Sequence, residues 1–240
     1  DFCNNNWGWG DRKQTNEIRE MTIPATRDLK VDGKRNGGIS VRGENRSDIL
    51  IRACVVAWTK STDASTDVLK SIRLETSPVV LATSTSEESN WSVSYEIRVP
   101  KNTNLELAAH NGGIAIRDVE GVLNFETRNG GISLSEVAGS VKGRTQNGGI
   151  AVKVSGNSWK RGGLDVETTN GGVSLAIPQN FSAKIEAGTT NGGFSSDFEA
   201  LQPESKRSWG KRLITRDLNG GGPPVRVVTV NGGIKISSKK

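Results

Sequence analysis

Asn129-Gly130-Gly131-Ile132-Ser133-Leu134 and, eighteen residues on, Asn147-Gly148-Gly149-Ile150-Ala151-Val152 decide how this chain folds. The signature Asn-Gly-Gly followed by an apolar residue also stands at Asn36, Asn111, Asn170, Asn191 and Asn231. An eighth Asn-Gly-Gly, at Asn219, runs into Gly222 and two prolines instead. Self-similarity at a spacing of about 20 residues is the mark of a solenoid.

Working outward from each Asn exposes a period of two. Leu123, Phe125 and Thr127 stand six, four and two residues before Asn129; before Asn147 the same places hold Val141, Gly143 and Thr145. Thr168, Thr189 and Thr229 repeat the threonine before Asn170, Asn191 and Asn231. After each Asn the apolar face continues at the third and fifth residue, as in Ile114/Ile116 and Ile150/Val152. Each unit therefore reads as strand, corner, strand. Identical in-phase units predict parallel stacking of like on like, with ladders of Val, Ile and Leu and a threonine ladder beside the corners. The antiparallel meander or propeller that Asn-Gly hairpins also build is the competing architecture. Glycine at the corners suits positive φ, and a corner Asn buried between coils can bond its neighbours. The expected fold is all-β: a parallel single-chain β-solenoid, right-handed by the crossover rule, with coils of about 18–23 residues.

The rest of the chain divides around this array. Residues 1–22 read as an N-terminal tail without strand or helix period. Residues 23–240 form the solenoid. Its part 23–103 is irregular, with one short helix near 61–70 suggested by N-cap candidates. Trp91 to Pro100 is a period-2 strand with Trp91, Val93, Tyr95, Ile97 and Val99 on one face. Residues 104–199 hold the regular coils, 200–224 a loop, and 225–240 the last coil. Asn191 and Asn231 lie 40 residues apart, so one corner between them is expected to have lost its motif. Leu29 and Val31 are one residue out of phase before Asn36, which predicts a bulge or a modified first coil.

These units, together with Gly163-Leu164-Asp165-Val166-x-Thr168-x-Asn170-Gly171-Gly172-Val173, resemble the bacterial putative-adhesin family of β-strand-repeat domains over roughly residues 26–236. The resemblance implies a β-solenoid, an exported or surface location and no established catalytic activity. It supplies no site residues.

Composition fits a turn-rich β protein: 33% hydrophobic residues and 29 glycines. The net charge of +6 is uneven. Residues 201–240 hold nine Lys/Arg and two Asp/Glu, a balance of +7, whereas residues 61–200 hold twelve and sixteen, a balance of −4. The basic end is read as a solvated end cap or as attraction to an anionic surface. No apolar run reaches the length of a membrane span. The chain opens at Asp1 and its only Met is Met21, as a processed form or a fragment would. Cys3 and Cys54 either form one disulfide, stapling the tail to an apolar strand in an oxidising compartment, or are unrelated thiols.

No catalytic, cofactor or metal residue is assigned. The single histidine, His110, occupies a position held by Arg128, Gln146, Thr169 and Val230 in other units, which marks an outward variable site. One His excludes a Ser-His-Asp triad unless it is the base, and two Cys with one His cannot build a Cys/His zinc site. The corners carry no Asp for calcium, no phosphate loop occurs, and basic residues are not interleaved with aromatics as nucleic-acid binding asks. Two functions follow. One is a structural surface protein that assembles with itself head to tail into a filament, through open solenoid ends and the apolar tail residues Phe2, Trp7 and Trp9. The other is a monomeric surface module that binds glycan or another polymer along a solenoid face. Both place the protein outside the cell, at its surface or in the periplasm.

Overall fold

In the computed structural model the described residues are 2–3, 11–86, 90–202 and 212–239. Two ten-stranded, mostly parallel sheets face each other across one core. Each Asn-Gly-Gly corner carries the chain from one sheet to the other. The coils are β2 (Asp28–Asp32) with β3 (Ile39–Glu44), β8 (Asn104–Asn111) with β9 (Ile114–Arg117), and β10 (Glu120–Asn129) with β11 (Ile132–Ser135). They continue as β12 (Ala138–Asn147) with β13 (Ile150–Lys153), β14 (Gly162–Asn170) with β15 (Val173–Pro178), and β16 (Ala183–Asn191) with β17 (Phe194–Ser196). The last in sequence is β19 (Pro224–Asn231) with β20 (Ile234–Lys239). Like stacks on like: Leu105, Leu123, Val141 and Leu164 are successive parallel partners, as are Ile114, Ile132, Ile150 and Val173.

The order in space departs from the order in sequence at both ends. Coil β19–β20 is not last in the stack: it is inserted between β14–β15 and β16–β17. No motifless coil explains the 40-residue interval. The chain passes the vacant level, builds β16–β17, turns through a 3-10 segment at Glu199–Leu201 and returns as β18 (Arg212–Leu218), antiparallel to β16. It then fills the level it left. What reads as a loop over 200–224 thus contains an end strand. Coil β2–β3 is likewise flanked on its outer side by β6 (Val80–Ser84) and β7 (Trp91–Pro100). Both chain-terminal coils gain partners on two edges, so neither is left as a bare strand edge.

Antiparallel strands close the stack. At one end β4 (Asp48–Thr59) pairs with β7, and β1 (Lys13–Pro24) pairs with β4 along twelve residues. Residues 13–22 therefore belong to a sheet and not to a tail. Their strand eluded period-2 reading because it lies at the edge, where little is buried on either face. Helix α1 (Thr62–Ser71), N-capped by the Ser61 side chain, lays Val68 and Leu69 over the core end and runs into β5 (Ile72–Glu75). Arg19 of β1 donates to the Leu69 and Ile72 carbonyls at the C-terminus of that helix, and Thr15 meets the buried Ser65 hydroxyl at 2.6 Å. At the other end the 3-10 segment buries its own Leu201 and its N-cap residue Phe198.

Local departures from the repeat have local causes. The extra residue before Asn36 is taken up at Lys34, whose φ is 52°, after which Asn36 bridges Asn111 in phase. The 23-residue interval before Asn170 holds a corner insertion around Trp159, which is 3% exposed and donates its indole N–H to the Gly139 carbonyl at 2.9 Å. The Tyr95 hydroxyl is buried with no hydrogen-bond partner among the described residues. Gly143, where neighbouring coils carry Leu107, Phe125 and Val166, leaves room for the Phe125 ring of the coil below: a Cβ there would stand 1.8 Å from its Cε2. Gly143→Val is expected to lower stability by about 1–3 kcal/mol through overpacking, with partial recovery in Gly143→Val/Phe125→Leu. Denaturant titration checks this, and an unchanged midpoint in the single variant would sink it.

Candidate functional site

The corners are built by three interlocking ladders. Along the outside, each Asn side chain donates its Nδ2–H to the Oδ1 of its neighbour: Asn111 to Asn36, Asn129 to Asn111, Asn147 to Asn129, Asn170 to Asn147, Asn231 to Asn170 and Asn191 to Asn231. The distances run from 2.8 to 3.1 Å. Six of these asparagines are exposed and Asn36 half-buried, so the expectation of a buried Asn is corrected. The buried member is the threonine. Thr127, Thr145, Thr168, Thr189 and Thr229 are at most 5% exposed, and each hydroxyl donates to the first corner glycine's carbonyl in the neighbouring coil. Positive φ is not the reason for that glycine either. A Cβ on Gly130 would stand 2.2 Å from the Gly112 carbonyl oxygen, and one on Gly148 2.1 Å from that of Gly130. Left-handed backbone belongs to the opposite corner, at Asp118 (φ 57°) and Glu136 (φ 53°), each three residues before a glycine, of which Gly139 is itself at φ 99°. Asn219 is not a coil corner: at φ 48° it donates to the carbonyls of Gln179 and Phe181.

Cys3 and Cys54 form a disulfide, with Cα atoms 5.3 Å apart. It anchors the N-terminus on the outer side of β4, opposite Ile18 in the β1 register. Asn16 donates to the Cys3 carbonyl, and the Phe2 ring lies 5.7 Å from the Arg52 guanidinium carbon, within cation–π range. Trp7 and Trp9, the other candidate self-association residues, lie outside the described residues.

The two outer faces differ in chemistry. The face carrying β8, β10, β12 and β14 is crossed by ion pairs between coils: Lys30 to Glu106 at 2.8 Å, Arg144 to Glu126 at 2.7 Å, and Arg226 to Asp165 and Glu186 at 2.5 and 3.2 Å. These exposed pairs add little energy individually. They do align the coils and leave His110, Arg128, Gln146 and Val230 along a shallow groove of about 460 Å³. The opposite face has short side chains at its centre. Ala115, Ser133, Ala151 and Ser174 are successive outward neighbours. Ala151 and Ser174 form part of the floor of a trough of about 600 Å³ that continues over Gly149, Gly172, Phe194 and Lys235. Arg117 and Lys153 share the next outward row. Lys153 and Lys235 have no carboxylate within ion-pair distance among the described residues.

Among the described residues no group of three or more His, Cys, Asp or Glu is placed to hold a metal ion, and no helix is long and apolar enough to cross a membrane. Glu136, at the second corner, is a carboxylate with several partners. It accepts from the Ser155 backbone and hydroxyl and, at 3.0 Å, from Lys239. Burial pushes its carboxyl up, but the Ser155 and Lys239 hydrogen bonds and the Lys239 charge outweigh that and hold it below the ordinary carboxylate range.

The pattern of in-phase coils, corner ladders and crossed ends extends over nearly the whole chain, and so does the family match. The model of the family described as Toastrack DUF4097 matches residues 10–237. The chain belongs to the Toastrack family. No curated protein matches it. Solved structures similar to it include the following three. One, from Clostridium sporogenes ATCC 15579, is described as a "putative cell adhesion protein"; it is 16% identical, with 95% of this chain and 100% of that one covered and a TM-score of 0.49. A "putative adhesin" from Bacteroides fragilis NCTC 9343 is 10% identical, covers 94% and 97%, and has a TM-score of 0.34. A "putative lipid binding protein" from Parabacteroides distasonis ATCC 8503 is 11% identical, covers 92% and 96%, and has a TM-score of 0.29.

Two outcomes follow from these contacts in the Toastrack chain. A carboxylate held below its unfolded value stabilises the fold above that value, and the contribution is lost as pH falls through the folded one. Acid titration of stability should therefore be shallower in Glu136→Gln than in the parent, by a modest amount because the site is partly solvated; equal slopes would refute the assignment. Cys3→Ser/Cys54→Ser, which opens a loop of 51 residues, should lower stability by about 2–4 kcal/mol. Thermal melts with and without reductant measure it, and the double variant should no longer respond to reductant.

Proposed function

We propose that this Toastrack chain is a non-enzymatic, exported, adhesin-like module, a right-handed β-solenoid that lays one sheet face along an extended anionic surface polymer such as an acidic glycan. The observation that carries the reading is the trough over Gly149, Ala151, Gly172 and Ser174. Over coils β12–β13 and β14–β15 its floor is glycine, alanine and serine, so a flat chain can approach the backbone there, while Lys235 in the trough and Lys153 in the next outward row supply positive charge with no carboxylate within ion-pair distance among the described residues. Repetition supplies affinity by adding weak contacts along one rigid surface. The Cys3–Cys54 disulfide supports an oxidising location.

Head-to-tail assembly is the second reading. Strands β1 and β17 are the two edges of one sheet and run in the same direction, so end-to-end docking would continue that sheet in parallel. The antiparallel strands, the helix and the 3-10 segment at the ends weigh against it, since they cover the core that an open solenoid would present.

Affinity electrophoresis in gels containing polygalacturonate, dextran sulfate or neutral dextran separates these readings. Retardation by the acidic polymers alone, lost with salt and reduced in Lys153→Glu/Lys235→Glu, is expected. No retardation, or retardation that the variant leaves unchanged, would reject the trough as the binding face. Light scattering after gel filtration is expected to show a monomer at high concentration.

A further inference from the structure

Seven asparagines in this chain share the sequence Asn-Gly-Gly and the same corner geometry, yet one differs in what its glycine N–H meets. An asparagine followed by glycine loses its amide when the glycine nitrogen attacks the side-chain carbonyl carbon. In six corners that nitrogen is occupied. Gly37 N–H donates to the Asn111 carbonyl at 3.2 Å, Gly112 to Asn129 at 3.0 Å, and Gly130 to Asn147 at 3.0 Å. Gly148 donates to Asn170, Gly171 to Asn231 and Gly232 to Asn191, at 2.9 to 3.0 Å. Every such bond points toward the next coil in the spatial stack. Coil β16–β17 is the last, and no acceptor meets Gly192 N–H among the described residues. At the adjoining Gly193 a Cβ would find no described atom within 4 Å, whereas at Gly131, Gly149 and Gly172 it would stand 3.3 Å from the following coil's carbonyl oxygen. Asn191 itself is exposed.

We propose that Asn191 is the native-state deamidation site of the seven corners, and that the stacked ladder protects the other six. Solvent base takes the Gly192 amide proton, and the nitrogen bonds to Cγ of Asn191. The Cγ–Nδ2 bond breaks and the amide nitrogen leaves as ammonia, carrying a proton. Water then opens the cyclic imide at either carbonyl, yielding aspartate or isoaspartate. The product removes the Nδ2 donor now held by Asn231 at 2.9 Å and places a negative charge at the end of the amide ladder. Isoaspartate also adds a backbone carbon at the strand edge that closes the stack. Asn219 lies outside the comparison because it is not a corner, and two carbonyls hold its amide nitrogen.

The test ages the folded protein in mildly alkaline buffer and follows each corner by peptide mapping that separates aspartate from isoaspartate. Conversion at Asn191 is expected to run about tenfold or more ahead of the mean of Asn111, Asn129, Asn147, Asn170 and Asn231, since each interior glycine must first be freed by local opening. The same incubation in denaturant is expected to bring the seven rates together. Equal rates in the folded protein, or a lead at an interior corner, would overturn the proposal. So would a lead at Asn191 that persists in denaturant, because it would then come from neighbouring residues and not from the stack.

Discussion

The whole molecule depends on how closely one coil can approach the next at its corner. The first glycine of each motif leaves only about 2 Å between the place of an absent Cβ and the carbonyl oxygen of the coil below. Any side chain there would push the coils apart and break the parallel hydrogen bonds on both sheets at once. That single contact explains why glycine recurs, and the neighbouring groups explain the rest of the motif. The threonine hydroxyl satisfies the glycine carbonyl inside, where an unpaired group would cost about 1–3 kcal/mol. The asparagine amides satisfy one another outside. The apolar residue after the glycines starts the next buried ladder.

Ends are the structural problem that stacking creates. A parallel stack has no natural terminus, and its last strands offer unpaired edges. This chain answers by reserving a level at one end, building past it, adding an antiparallel strand and returning to fill the gap. At the other end antiparallel strands and a helix cover the core, with a disulfide and the Arg19 contacts to the helix C-terminus tying them down. The strongest departures from the repeat, the segments around β1 and β18, are therefore the capping devices. The two faces between the caps differ, one crossed by ion pairs and the other a trough of short side chains beside lysines.

The corner ladders and core rows were legible because each depends on residues at fixed spacing in one unit. Leu123 and Val141, or Thr127 and Thr145, could be paired by counting from the nearest Asn. The trough was not legible as a site. Ala115, Ser133, Ala151 and Ser174 stand in four different coils, and their shared shortness emerges only when those coils are set side by side. The left-handed Glu136 carries no sequence signal because glutamate is not among the residues enriched in that conformation, whereas Asp118 is of a type that adopts it more readily.

The amino-acid sequence by itself determined the coil: its period, its buried face and the residues at its corner, because these are set by contacts between chemically equivalent positions. Tertiary structure alone decided the order of the coils. The units ending in Asn170, Asn191 and Asn231 are nearly interchangeable, so any of them can stack on any other with the same bonds. Which one lies outermost is settled by where β18 and the chain ends can reach, and that reach is a property of the assembled stack.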